Sequence, residues 1–180
     1  MLGCSSDTGG ISEESPFGEL QKAISEELNA DISLIPYEPY PLTSAFYVRT
    51  NDGKVINASL IYSKVEGEKE LLDPDDPSVY TAIEKDFIFG PYKGERMIGI
   101  SIERSDEANI NFDDPTFNTK EVKNRKIYYY EDKFAQFHRL NVYIPSDEVV
   151  YGLAFEMNKD KEFRQEYAFD FMEELIESMN

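Results

Sequence analysis

The chain of 180 residues has one cysteine, one histidine and no tryptophan. A single cysteine permits no internal disulfide and no zinc site built from cysteines alone. No Gly-x-Ser-x-Gly elbow accompanies the only imidazole, His138, so a Ser-His hydrolase has no sequence support. Glycine-rich phosphate loops and dinucleotide fingerprints are missing as well. No segment approaches the ~18 consecutive apolar residues of a membrane span. Positive charge is scarce: 18 Lys and Arg stand against 36 Asp and Glu, a net charge of −18. With no basic stripe and a field that repels phosphate, nucleic acid is excluded as a partner.

Apolar and aromatic side chains are plentiful. With 12 Phe, 12 Tyr and 41% hydrophobic residues, the chain is too apolar for a disordered acidic protein and long enough to bury one core. Ser5 to Ser15 is small, polar or acidic and reads as a tether, leaving 16–180 as a single domain. Pro16 suits a first helical turn, and Phe17, Leu20, Ile24 and Leu28 follow at helical spacing up to Asn29. Beyond Ile32–Ile35, three prolines in Pro36–Pro41 predict an extended path. Strands are predicted over Ala45–Arg49 and Val55–Tyr62, joined through Asn51-Asp52-Gly53, a hairpin signal. The mixed stretch Val79–Phe89, then Met97–Glu103, Lys126–Tyr130, Phe137–Ile144 and Val149–Met157 bring the count to about seven. Glu66–Pro77 and Ser105–Thr119 read as loops, and Gly90–Gly94 as a turn.

The clearest element is the last. From Asp160 to Met179, Tyr167, Ala168, Phe169, Phe171, Met172, Leu175, Ile176 and Met179 cover one side of a helix. Glu162, Glu166, Asp170, Glu173, Glu174 and Glu177 cover the other. The late glutamates oppose the helix dipole by ~0.3–1 kcal/mol each, whereas each large apolar side chain buried contributes ~1.5–3 kcal/mol. Packing outweighs charge, so this helix must lie across an apolar surface. The expected fold class is therefore α+β: a single antiparallel, curved β-sheet packed by the C-terminal amphipathic helix and a short N-terminal helix.

Site chemistry is sparse. His138 shares its strand face with Leu140, Val142 and Ile144, as a packed or edge residue does. A Cys4–His138 nucleophile pair would place its thiol on a tether. Two carboxylates could serve a glycosidase, but 36 acidic residues select no pair. Asp73, Asp75, Asp76, Asp113 and Asp114 supply oxygen ligands of the kind calcium takes, without EF-hand spacing. Asn57-Ala58-Ser59 matches a glycosylation acceptor but falls inside a predicted strand. Tyr37, Tyr40, Tyr128 and Tyr130 are candidate ligand contacts, weighed against cross-strand packing, the commoner use of paired tyrosines. No cofactor is expected.

The opening Met1-Leu2-Gly3-Cys4-Ser5-Ser6 resembles the end of a bacterial lipoprotein signal, in which the cysteine becomes the lipid-bearing first residue. That resemblance implies acylation of Cys4 by a diacylglyceryl group and a further fatty acid such as palmitate, and attachment to the outer face of the cell membrane. Stable anchoring takes two or more acyl chains, which such lipoproteins carry. From Ile32 onward the chain also resembles a domain of unknown function from lipoproteins of bacilli and related Gram-positive bacteria, related to extracytoplasmic regions of membrane-anchored anti-sigma factors. The likeness lies in Ile32–Tyr37, Val55–Tyr62, Lys126–Tyr130 and Glu173–Met179. It implies a surface lipoprotein without a known reaction. The expected function is a non-enzymatic module binding a peptide, protein or envelope component. An envelope-modifying hydrolase and an inhibitor presenting Tyr37–Pro41 are the alternatives.

Overall fold

A computed structural model describes residues 16–73, 85–160 and 163–179. Helix α1, Pro16–Leu28, buries Leu20, Ile24 and Leu28 on one stripe. It stops where expected. Asn29 turns left-handed at φ 48°, and the Ala30 amide reaches back to the Ser25 carbonyl at 3.1 Å, so the last carbonyls are satisfied by a residue type that tolerates this conformation.

Eight strands follow: β1 (Leu42–Arg49), β2 (Val55–Lys64), β3 (Lys85–Phe89), β4 (Glu95–Arg104), β5 (Asn118–Val122), β6 (Arg125–Phe134), β7 (Phe137–Pro145) and β8 (Val149–Glu156). They form one sheet in the order β3-β1-β2-β4-β8-β7-β6-β5, antiparallel at every step. The α+β architecture stands, with two corrections. The count is eight, not seven, because β5 extends the sheet beyond β6. Its sequence Asn-Thr-Lys-Glu-Val is exposed at the first four positions, so it carries no apolar alternation to announce a strand. The expected curvature is at most mild: among the described residues β3 and β5 are the two edges of an open sheet and do not pair.

Period-2 alternation divides the sheet into two unlike faces. On one, Tyr47, Ala58, Ile102, Tyr151 and Ile144 line up across five strands, beside a second row of Ala45, Leu60, Ile100, Leu153 and Val142. All ten are buried. Helix α2, Gln165–Ser178, covers this face with Ala168, Phe171, Met172, Leu175 and Ile176. The Phe171 ring meets Tyr37, Tyr62 and Phe155 edge-on at 5.1, 5.6 and 6.0 Å. The segment 31–41, which turns at 38–40 rather than running extended through its prolines, touches both helices: the Leu34 amide donates to Gln21 of α1, and the Ser33 hydroxyl to the Ser178 carbonyl of α2. The Tyr62 and Tyr47 hydroxyls donate to carbonyls of Ile35 and Ala23. Buried phenols thus keep their hydrogen bonds.

Two residues of α2 depart from the predicted stripe. Tyr167 is exposed, stacked on Phe163, and Phe169 is half-covered, with the Lys120 ammonium 3.8 Å from its ring. Both lie at the margins of an apolar arc wider than the surface it rests on. The acidic side faces outward, and Lys123, between β5 and β6, bonds Glu177 at 2.7 Å and approaches Glu173 at 3.6 Å. Two of the glutamates that oppose the dipole therefore have a cation. No helix among the described residues is long and apolar enough to cross a membrane.

Candidate ligand groove on the helix-free face

The second face of the sheet has a different composition. Across its middle run Phe46, Ser59, Ser101, Gly152, Tyr143 and Tyr128, beside Ile61, Gly99, Ala154, Asn141 and Tyr130. The central positions are small and the flanks are aromatic, so the pleat itself forms a trough. Phe46 and Phe87 wall one side at 5.4 Å between rings. On the other, Tyr128, Tyr130 and Tyr143 cluster with Phe112 and Phe117, which the loop between β4 and β5 brings over the sheet. Ile110 of that loop completes a cavity of about 240 Å³.

Two charged side chains lie in this trough. Arg96 reaches it through a β-bulge. Ile98 pairs with Tyr62 and Arg96 with Ser63, so two residues of β4 oppose one of β2. Such an insertion re-aims the side chains beside it. The guanidinium then lies flat over Gly99, where a Cβ would overlap Nη2 and stand 2.7 Å from Cζ. Gly99 is thus the residue that lets Arg96 rest on the sheet. The Arg96 guanidinium, on a residue that stays solvent-exposed, makes no hydrogen bond or ion pair with any described residue. Desolvation against the sheet, then repulsion from Arg139, hold its pKa below the ordinary value, and Glu156 opposes them. That glutamate is itself committed: Arg139 donates to its Oε1 from Nη2 at 2.5 Å and from Nε at 3.0 Å.

The second charge is Glu103, whose Oε1 accepts from the Ser101 hydroxyl at 3.1 Å. It has no cation among the described residues. Next to it, the Tyr143 hydroxyl has its pKa raised to about 12, by burial first and then by Tyr130, with Glu103 among the smaller causes. The phenol therefore stays protonated near neutrality.

The candidate site residues read from the sequence separate clearly. Tyr37 and Tyr40 are core residues, 9% and 7% exposed, with rings against Phe171 and Phe163. Between them only Glu38 and Pro39 are exposed, so little of Tyr37–Pro41 is presented. Tyr128 and Tyr130 lie on the helix-free face and build the aromatic wall, while Tyr129 points to the other face, as alternation requires. His138 Nε2 pairs with Glu131 at 2.9 Å. Asp113 and Asp114 occupy a turn in which Asp114 accepts from the Thr116 amide and hydroxyl at 2.9 and 2.7 Å. Asp73 lies in a different loop. Cys4, Asp75, Asp76 and Glu162 fall outside the described residues. Among the described residues no group of three His, Cys, Asp or Glu is placed to hold a metal ion.

Sequence reasoning misses Arg96, Gly99, Glu103 and Gly152. The signal available is the glycines: Gly99 and Gly152 interrupt otherwise apolar strands, a mark of bulges and close approach. No protein-family model, curated protein or solved structure matches the chain.

Proposed function

We propose that the protein is a lipid-anchored lipoprotein of the outer face of a bacterial membrane, whose domain binds a ligand in the trough of its helix-free face and catalyses no reaction. The observation that carries binding is the trough itself: a cavity between aromatic walls that holds a cation and an anion, each without an ionic partner among the described residues. Binding sites of this kind join an apolar lining to a few placed polar groups. The trough's own serine hydroxyls are engaged within it, Ser101 donating to Glu103 and Ser59 to Asn57. Support for the anchor is the resemblance of Leu2-Gly3-Cys4 to a lipoprotein signal end, with a polar tether after it.

Two measurements test this reading. Mass spectrometry of protein recovered from its host's membranes should find the Cys4 peptide carrying a diacylglyceryl group; an unmodified thiol there overturns the anchor. Native mass spectrometry of the same material should find a small molecule on the wild type that is missing from Gly152→Leu. A Cβ at residue 152 meets Tyr143 only at ordinary contact distance, 3.4 Å, and the rest of a larger side chain there extends into the trough; circular dichroism of the variant checks that the sheet is kept. Equal occupancy in both forms overturns the groove.

A further inference from the structure

We infer that the groove takes a small zwitterion, an α-amino acid with an apolar side chain, its carboxylate on Arg96 and its ammonium on Glu103. This rests on the binding reading above and supplies its ligand class.

In a chain with twice as many acids as bases, three of the six guanidinium groups bond carboxylates, and a fourth, Arg125, donates to the Pro145 carbonyl. Arg49 bonds Glu27 and Asp86, Arg104 bonds Asp106, and Arg139 bonds Glu156. Arg96, which keeps contact with solvent, has no carboxylate of its own, and its place on the sheet needs both a bulge and a glycine. Since Arg139 already neutralises Glu156, this end of the groove keeps an excess positive charge. Guanidinium is the group best shaped for a carboxylate, through two parallel hydrogen bonds.

The opposite end excludes a simple anion. Glu103 presents its carboxylate to the same cavity and would repel a second negative charge, whereas an ammonium would pair with it. Arg96 and Glu103 line one cavity, so a compact zwitterion seated in it meets both; a peptide charged only at its two distant ends does not. The cavity of about 240 Å³ lies just below the ~300–1,000 Å³ of drug-sized sites, so the occupant is small. Phe46, Ile61, Ile110 and Val150 surround the remaining space and suit an aliphatic side chain.

The test is calorimetric titration of the full chain with leucine, N-acetyl-leucine and leucinamide. Leucine should bind, and each capped form should bind at least about tenfold more weakly, a loss of 1.4 kcal/mol or more. Arg96→Gln and Glu103→Gln should each lose leucine to a similar degree while keeping the wild-type circular dichroism. The capped series on the unaltered protein decides the matter even if a variant fails to fold. Capped and uncapped forms binding alike, or no heat from leucine at ~10 mM, overturns the zwitterion. Should leucine fail while native mass spectrometry still finds another molecule, lost in Gly152→Leu, the zwitterion is overturned and the binding reading stands.

Discussion

Single glycines separate two kinds of constraint in this protein. Gly53 closes the β1–β2 hairpin at φ 86° with nothing within 4 Å of the place a Cβ would take, so alanine there meets only backbone strain. Gly90 has φ 73°, and a Cβ would overlap the Thr43 carbonyl oxygen, which is fixed backbone. Strain in the left-handed region costs about 1–3 kcal/mol. Gly53→Ala should fall within that range and Gly90→Ala beyond it, as measured by urea unfolding midpoints at a common slope. Equal midpoints for the two would show that the Thr43 contact relaxes freely. Both glycines announce themselves in the sequence, since Asp-Gly and Gly-Pro are turn signals. Arg96 does not, because its position depends on which residue of β4 bulges, and that is settled by pairing with β2.

At the level of elements, helix α2 is held by its apolar stripe and only decorated by its charges. Phe171 is fully buried and meets three other aromatic rings, so Phe171→Ala should destabilise by about 3–5 kcal/mol. Lys123→Ala removes two exposed, solvent-screened ion pairs and should cost far less. Chemical denaturation of both variants checks the ordering; a larger loss from Lys123 would make electrostatics the dominant tie. The stripe of α2, the Asn29 stop of α1 and the Asp-Gly hairpin are legible in the sequence because each is a local pattern. Edge strand β5 is not. An edge buries little, so nothing in its composition records the hydrogen bonds it makes to β6. The aromatic wall escapes for a related reason: Phe112 and Phe117 sit in a polar loop and meet Tyr128, Tyr130 and Tyr143 only through the tertiary fold.

For the molecule as a whole, pH acts through two sets of groups. Tyr37, Tyr143 and Tyr151 have pKa values raised to about 12, and Tyr62 is raised too, in each case by burial first. Their folded values exceed the ordinary 10.0, so the stability they contribute is complete below pH 10 and is lost as pH rises toward 12. Unfolding should therefore become steep across that window, with tyrosinate absorbance appearing together with the loss of circular dichroism. Gradual tyrosinate formation in a folded protein would contradict the burial of these rings. In acid the sign reverses. Lys133 and then His138 hold Glu131 below the usual carboxylate range, and Arg104 does the same for Asp106. Their contribution is present above the ordinary carboxylate pKa and disappears as pH falls through the folded values. Between neutrality and that point, lowering the pH relieves the self-repulsion of a net charge of −18. The melting temperature should thus peak below pH 7.

One extra residue in β4 has a genetic consequence. Downstream of Arg96–Met97 the strand keeps a strict two-residue beat; upstream the beat is shifted by one. Deleting the Met97 codon would straighten the pleat and still leave the guanidinium on the helix-free face, because Arg96 would then directly precede Ile98, which faces α2. Loop lengths around the trough are equally tolerant. A deletion scan should accordingly find soluble protein for loss of Met97 and for losses within 106–116; aggregation of the Met97 deletion alone would contradict this geometry. The strand can lose that residue, but it cannot straighten with the residue in place without turning the charge inward.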